Sequence, residues 1–146
     1  MALIRKNRGL QYPLMAEFIF NLTDTMVATD GVTRTLGASG AANIFDVIAL
    51  PPNAVVVGGD MTVDTASDDS STSTVAVGDS ASSTRYLAAT SIKSTGRTAL
   101  TLTGFRGAGE DIRITFANAG GNATVGTVSL RVLYIVQNRT NETQIA

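Results

Sequence analysis

The stretch Val128-Ser129-Leu130-Arg131-Val132-Leu133-Tyr134-Ile135-Val136 has an apolar residue at every second position. Successive side chains of a β-strand point to opposite faces, so this period of two predicts a strand that packs on a core. Its other face begins with the polar residues Ser129 and Arg131 but continues with Leu133 and Ile135. That second apolar pair predicts either a central strand covered on both faces or a surface for self-association.

The same period of two, or a strand-forming composition, recurs along most of the chain. Residues 85–95 are the exception, because their weakly helical composition fits a short turn or another strand. Gly58-Gly59 inside a strand pattern predicts a bulge where the sheet bends. Clusters of Gly, Pro, Asn, Asp and Ser predict turns between the strands. The other predicted strands are residues 17–25, 42–50, 55–64, 74–77, 97–103 and 111–116.

About eight strands at this spacing predict an all-β fold, an antiparallel two-sheet β-sandwich. The residues alone leave immunoglobulin-like and jelly-roll connectivity open. The boundaries we expect are an extended N-terminal arm over residues 1–16, a sandwich over 17–137 and a polar tail over 138–146. The core is predicted to combine small β-branched residues with the five phenylalanines, Phe18, Phe20, Phe45, Phe105 and Phe116.

The composition argues against an enzyme and against a cofactor. The chain of 146 residues has no His, Cys or Trp. It therefore lacks the commonest neutral-pH acid–base group, thiolate nucleophiles and the ligands of zinc and iron–sulfur clusters. No apolar run approaches the roughly 20 residues of a membrane-spanning helix, and no signal peptide is evident. The net charge of −1 argues against nucleic acid as a partner.

The charges are unevenly distributed along the chain. Between Arg34 and Arg85 there is no Lys or Arg, whereas six Asp residues lie there. A basic N-terminal arm and an acidic middle predict charge-guided docking, onto a partner or a second copy. The arm is expected either to be disordered or to contact a neighbouring protein. Its candidate contact residues are Leu3, Ile4, Arg5, Lys6, Arg8, Leu10 and Tyr12.

Two acidic groups are candidate sites. Asp64, Asp68 and Asp69 could bind a hard cation such as calcium, but the segment lacks the spacing of a calcium loop. The alternative is a hydrated turn capped by Asp side chains, with no metal. Asp79 and Arg85 are close enough in sequence to form a structural ion pair across a loop.

Four segments occur in the order Ala54-Val55-Val56-Val57-Gly58-Gly59, Val75-Ala76-Val77-Gly78-Asp79, Arg85-Tyr86-Leu87-Ala88-Ala89 and Gly96-Arg97-Thr98-Ala99-Leu100, before the closing strand. This arrangement, over about residues 42–137, resembles the jelly-roll capsid cement (decoration) proteins of short-tailed bacteriophages. The resemblance implies a non-enzymatic virion protein on the outer capsid surface, assembled in the host cytoplasm. It implies a homodimer that bridges subunits of the major capsid protein, without nucleic acid, membrane or cofactor.

The alternative is another virion or adhesion module, such as a tail, fibre or carbohydrate-binding β-sandwich. A sugar-binding platform would require exposed aromatic side chains, for which Tyr12, Tyr86 and Tyr134 are the candidates.

Overall fold

The computed structural model describes residues 12–40 and 43–137. The described residues form β-strands joined by turns and contain no helix that could cross a membrane. The strands are β1 (Leu14–Asn21), β2 (Thr25–Val27), β3 (Thr33–Thr35), β4 (Asn43–Ile48), β5 (Ala54–Thr65), β6 (Ser73–Gly78), β7 (Leu87–Ser91), β8 (Gly96–Ala99), β9 (Ile112–Asn118) and β10 (Thr127–Val136).

Eight of these strands form two four-stranded antiparallel sheets. The first sheet has the order β1-β10-β5-β8 and the second has the order β4-β9-β6-β7. The remaining strands, β2 and β3, form a separate hairpin, whose connecting residues include Asp30 and Gly31. Within the sheets the pairs are nested: β1 pairs with β10, β4 with β9, β5 with β8, and β6 with β7. The predicted two-sheet sandwich is therefore confirmed.

The core lies between the two sheets, because each contributes one apolar face. The alternation that predicted β10 places Val128, Leu130 and Val132 in this core, each at most 1% exposed. The aromatic rings of Phe20 and Phe116 connect the sheets, with centroids 5.2 Å apart in an edge-to-face arrangement. Such pairs contribute about 0.5–1.5 kcal/mol beyond the burial of their area.

The bulge predicted at Gly58-Gly59 is confirmed, and it changes which residues of β5 face the core. The register with β10 shifts between Leu133 and Tyr134. A strict period of two over the predicted strand 55–64 puts Val55 and Val57 on the same face as Met61, and the structure shows that this is wrong. Because the bulge inserts one residue, Val56 belongs to the core together with Met61, and Val57 is exposed.

Of the two alternatives for segment 85–95, the structure shows the strand, β7. Two further expectations differ from the structure. The first strand begins at Leu14, directly after Pro13, and so includes residues assigned to the arm. Proline cannot donate to the ladder and commonly precedes a strand, which explains that boundary. Phe105 is absent from the core cluster, because it lies in the loop between β8 and β9.

Candidate interaction surface

The solvent-facing side of the first sheet, called here the outer face, has an apolar strip at one end. Met15 of β1 pairs with Leu133 of β10, and Ile135 of β10 pairs with Val55 of β5. Met15 is 64% exposed, whereas Leu133 and Ile135 are half-buried and Val55 is buried. Leu133 covers Gly58, where an added Cβ would lie 3.6 Å from the leucine Cβ. The predicted self-association pair therefore lies on the outer face and remains partly accessible.

A row of four charged side chains crosses the outer face next to this strip. Glu17 of β1 accepts a hydrogen bond from Arg131 of β10 at 2.8 Å. Asp60 of β5 accepts one from Arg97 of β8 at 2.6 Å, and Arg131 also lies 3.7 Å from Asp60. The charges alternate in sign from one strand to the next. Opposite charges on neighbouring strands favour this strand pairing.

Sequence reasoning missed this charge row. Each member occupies the outward phase of its strand, which the alternation of apolar residues could have revealed for Asp60 and Arg131. The order of strands in the sheet was unknown, however. Residues far apart in the chain, such as Glu17 and Arg131, could therefore not be recognised as neighbours.

The predicted metal ligands are separated, and each has its own hydrogen-bond donors. Asp64 accepts from the Ser129 hydroxyl at 2.7 Å on the first sheet. Asp68 accepts from the hydroxyl of Thr124 at 2.6 Å and from its amide at 2.8 Å. Asp69 accepts from the amide of Ser71 at 2.6 Å. Within the described residues, 12–40 and 43–137, no group of three or more acidic side chains is arranged so that it could bind a metal ion. Asp68 and Asp69 thus cap backbone amides of the loops, whereas Asp64 joins β5 to β10 through Ser129.

Hydrogen bonding strongly lowers the pKa of Asp68. The Thr124 hydroxyl contributes most, followed by the amides of Val125 and Thr124, and together they bring the pKa to about 2. Groups that hydrogen-bond to a carboxylate favour its charged form. Asp68 therefore stays ionised well into the acidic range and keeps residues 124–125 attached to the loop after β5.

The loop between β6 and β7 is organised by Asp79, which is 3% exposed. Its carboxylate accepts hydrogen bonds from the amides of Ala81 at 2.9 Å and Ser82 at 2.8 Å. The structure places the Arg85 guanidinium in contact with the same carboxylate. The guanidinium also stacks on the Phe105 ring, 3.6 Å from its centroid. Arg85 thus joins the β6–β7 loop to the loop between β8 and β9.

The pKa of Asp79 is lowered despite its burial. Burial disfavours the charged carboxylate, but the hydrogen bonds from Arg85 and the amides of Ser82 and Ala81 outweigh that effect. Directly after this loop, the burial of Tyr86 raises the pKa of its phenol. Tyr86 and Leu87 both pack in the core.

The aromatic residues do not form a shared platform for a sugar. Tyr12 is 78% exposed, Tyr86 is buried, and Tyr134 is partly buried against the core. Tyr12 is also the only candidate contact residue of the arm that the structure describes. The other six, Leu3, Ile4, Arg5, Lys6, Arg8 and Leu10, lie outside the described residues.

The fold defines the class of protein: a small antiparallel β-sandwich whose described residues offer sheet faces, loops and edges for contact. Its fold is similar to that of a chain in the cyanophage Pam1 capsid asymmetric unit, with a TM-score of 0.63 and 21% identity over 93% of this chain and 94% of that chain. It is also similar to a chain in the acidic stable capsid structure of Helicobacter pylori bacteriophage KHP30. That match has a TM-score of 0.59 and 18% identity over 85% and 87% of the two chains. No protein-family model matches the sequence, and no curated protein matches it.

Proposed function

We propose that this chain is a structural virion protein of a bacteriophage that stabilises the assembled capsid from its outer surface. In this role it is a cement, or decoration, protein that bridges subunits of the major capsid protein. Its activity consists of binding alone, without catalysis, a cofactor, nucleic acid or a membrane.

The observation that carries the proposal is the fold similarity to two phage capsid chains over nearly the whole length of each. The cyanophage match covers 93% of this chain and 94% of that chain, so the two have nearly the same length. The shared unit is therefore the entire small sandwich, as expected for a separate capsid component. The sequence resemblance to cement proteins supports the same role.

The strand connectivity supports a jelly roll within this proposal. When the eight strands of the two sheets are counted in chain order, the first, β1, pairs with the last, β10. The second, β4, pairs with the second-last, β9. The innermost pair, β6 and β7, is joined by the short loop that Asp79 organises. A long antiparallel ribbon rolled into two four-stranded sheets gives this pattern, which is the double Greek key of a jelly roll.

A protein of this kind stabilises a shell by selective binding. If it binds assembled capsid but not the free subunit, mass action shifts the equilibrium towards the assembled state. A dimer that contacts two capsid subunits binds more tightly than one copy, because the second contact becomes intramolecular. A rigid sandwich with polar loops is suited to this use.

Co-sedimentation tests the function directly. The purified chain is mixed with expanded capsids that lack it and, in parallel, with unassembled major capsid protein of the same phage. Saturable binding to the capsids but not to free subunits is expected, and the plateau gives the number of copies per shell. An absence of binding at low salt would contradict the proposal and favour a tail, fibre or sugar-binding module, which a glycan array would then examine.

A further inference from the structure

Within residues 12–40 and 43–137, one edge of the first sheet carries no partner strand. β1 is the terminal strand of that sheet and pairs with β10 over all eight of its residues without a register shift. A long, regular edge strand presents unpaired main-chain groups to which another strand can add. Among the described residues, no other strand pairs with the free side of β1.

The hydrogen bonds at the end of β1 identify the open groups. The amide of Leu22 donates to the carbonyl of Gly126 at 3.0 Å, on the β10 side. Amides alternate in direction along a strand, so those of Met15, Glu17 and Ile19 point to the free edge. The amide of Asn21 also points there but donates to the Asp24 carboxylate at 2.7 Å. The open stretch is therefore residues 15–19.

The other three edges of the two four-stranded sheets carry features that oppose strand addition. On β4 the Ile44 carbonyl accepts a hydrogen bond from the amide of Thr29 at 2.9 Å, and the strand has a register shift. The pairing of β7 is also irregular. β8 is only four residues long and includes Arg97. Short length, irregular pairing and charged side chains usually protect an edge strand from the addition of another strand. β1 is long and regularly paired, so it lacks the first two of these protections.

The side chains beside the open edge also favour association. Met15 and Ile19 lie on the outer face and are 64% and 58% exposed. Glu17 between them is the one charged residue of β1, and its partner Arg131 offsets that charge. The strand therefore presents apolar side chains and open main-chain groups together.

We propose that β1 pairs in an antiparallel manner with β1 of a second copy of this chain. The two first sheets then form one continuous eight-stranded sheet around a two-fold axis. The proposed function includes a dimer, and this pairing names the surface through which the dimer forms. In that respect the inference rests on the proposed function. It shares Met15 with the apolar strip of the outer face but does not use Leu133 or Ile135, which lie on β10.

The open groups select one register. With the axis at Glu17, Met15 of each copy lies opposite Ile19 of the other, and all three open residues exchange main-chain hydrogen bonds. With the axis at Phe18, Met15 would face Asn21, whose amide is already used by Asp24. Apolar pairs opposite each other stabilise antiparallel strands. Each Glu17 at the axis keeps its own Arg131, which reduces the repulsion between the two carboxylates.

The first test compares Ile19→Lys with Val27→Lys by analytical ultracentrifugation over a range of concentrations. Val27 is the matched control, because it is 61% exposed and lies in the separate β2–β3 hairpin. The wild type and Val27→Lys are expected to be dimers, and Ile19→Lys to dimerise about tenfold or more weakly. A monomeric wild type, or a dimer equally tight in both variants, would overturn the proposal.

A second test does not depend on how well Ile19→Lys folds. The chain has no cysteine, so a single introduced thiol reports its own neighbours. Glu17→Cys lies on the axis and is expected to form a disulfide-linked dimer on mild oxidation, since directly opposite residues are within bonding range. Met15→Cys lies far from its counterpart and is expected to remain unlinked. The reverse result, or equal linking of both, would overturn this register.

Capsid co-sedimentation of the same variants separates the two proposals. Saturable capsid binding by the wild type with an unchanged dimer in Ile19→Lys would overturn the β1 interface and leave the cement role intact. A dimer that is lost in Ile19→Lys, together with no capsid binding by the wild type, would support the interface and contradict the cement role.

Discussion

At the scale of single residues, the Asp79 carboxylate is the buried charge on which the β6–β7 loop depends. It accepts the amide hydrogen bonds of Ala81 and Ser82 and contacts Arg85. Asp79→Lys removes these acceptors and places two cations together. We expect the free energy of unfolding to fall by about 3 kcal/mol, as when a buried ion pair is broken. Urea denaturation measures this loss.

Asp46→Lys is the matched control for Asp79→Lys. Asp46 also contacts an arginine, Arg113 of β9, but both side chains are more exposed and Asp46 caps no loop. Exposed pairs contribute about 0–1 kcal/mol, so reversal there is expected to cost no more than this. If Asp79→Lys were as stable as Asp46→Lys, the pair with Arg85 would have no structural role.

Asp68 gives the protein a specific response to acid. Its pKa is about 2 in the folded chain against an ordinary 3.8, so folding favours its charged form. The stability that it contributes is present above about pH 4 and is lost as the pH falls towards 2. We expect Asp68→Asn to be less stable than the wild type at pH 5 and the difference to shrink between pH 4 and 2. Urea midpoints of both proteins across this range measure it, and a constant difference would contradict it.

At the scale of strands, the alternation of apolar residues predicted where strands lie and which of their residues face the core. The period of two located β10 and the core positions Val128, Leu130 and Val132, because burial on one face alone requires it. It failed for Val55 and Val57, since a bulge reverses the phase of every residue before it. The sequence marked the bulge through Gly58-Gly59, but it did not specify which residue is inserted.

The bulge in β5 depends on Gly59 and not on Gly58. Gly59 has a φ of +140°, and a Cβ there would overlap the Arg131 carbonyl oxygen and lie 2.9 Å from Leu100 Cδ1. We expect Gly59→Ala to lower the free energy of unfolding by about 3 kcal/mol, from backbone strain and the clash. Gly58→Ala is the control, because its nearest contact would be an ordinary 3.6 Å. Thermal denaturation compares the variants, and equal losses would contradict a special role for Gly59.

The candidate surface was less predictable than the strands, because it depends on which strands are neighbours. The sequence singled out Leu133 and Ile135 from one strand alone. The charge row needs β1, β10, β5 and β8 side by side, and only the strand order of the first sheet supplies this. The ion pair of Asp79 with Arg85 was easier to anticipate, since the two residues are six apart in one loop.

At the scale of the whole molecule, the nested strand pairs leave the two sheets with edges of different character. Among the described residues, the edge at β1 is long and has no strand paired with it, and we assign it to a second copy of the chain. The edges at β4, β7 and β8 are covered, irregular or short. In the proposed dimer each molecule would bind its own copy along this edge, which leaves the described loops and the rest of the outer face for the proposed contact with a capsid.

The N-terminal arm is a further candidate for capsid contact, through Arg5, Lys6 and Arg8 and the apolar residues beside them. Deletion of residues 1–11 removes these groups but leaves all ten strands of the described chain. We expect the thermal midpoint to change little and capsid binding to weaken, most clearly at low salt, where attraction between the basic arm and an acidic surface is least screened. Deletion of 138–146 is the control, since it removes a terminal segment that also lies outside the described residues. Capsid co-sedimentation at two salt concentrations measures the effect, and equal binding by both truncated proteins would exclude the arm as a contact.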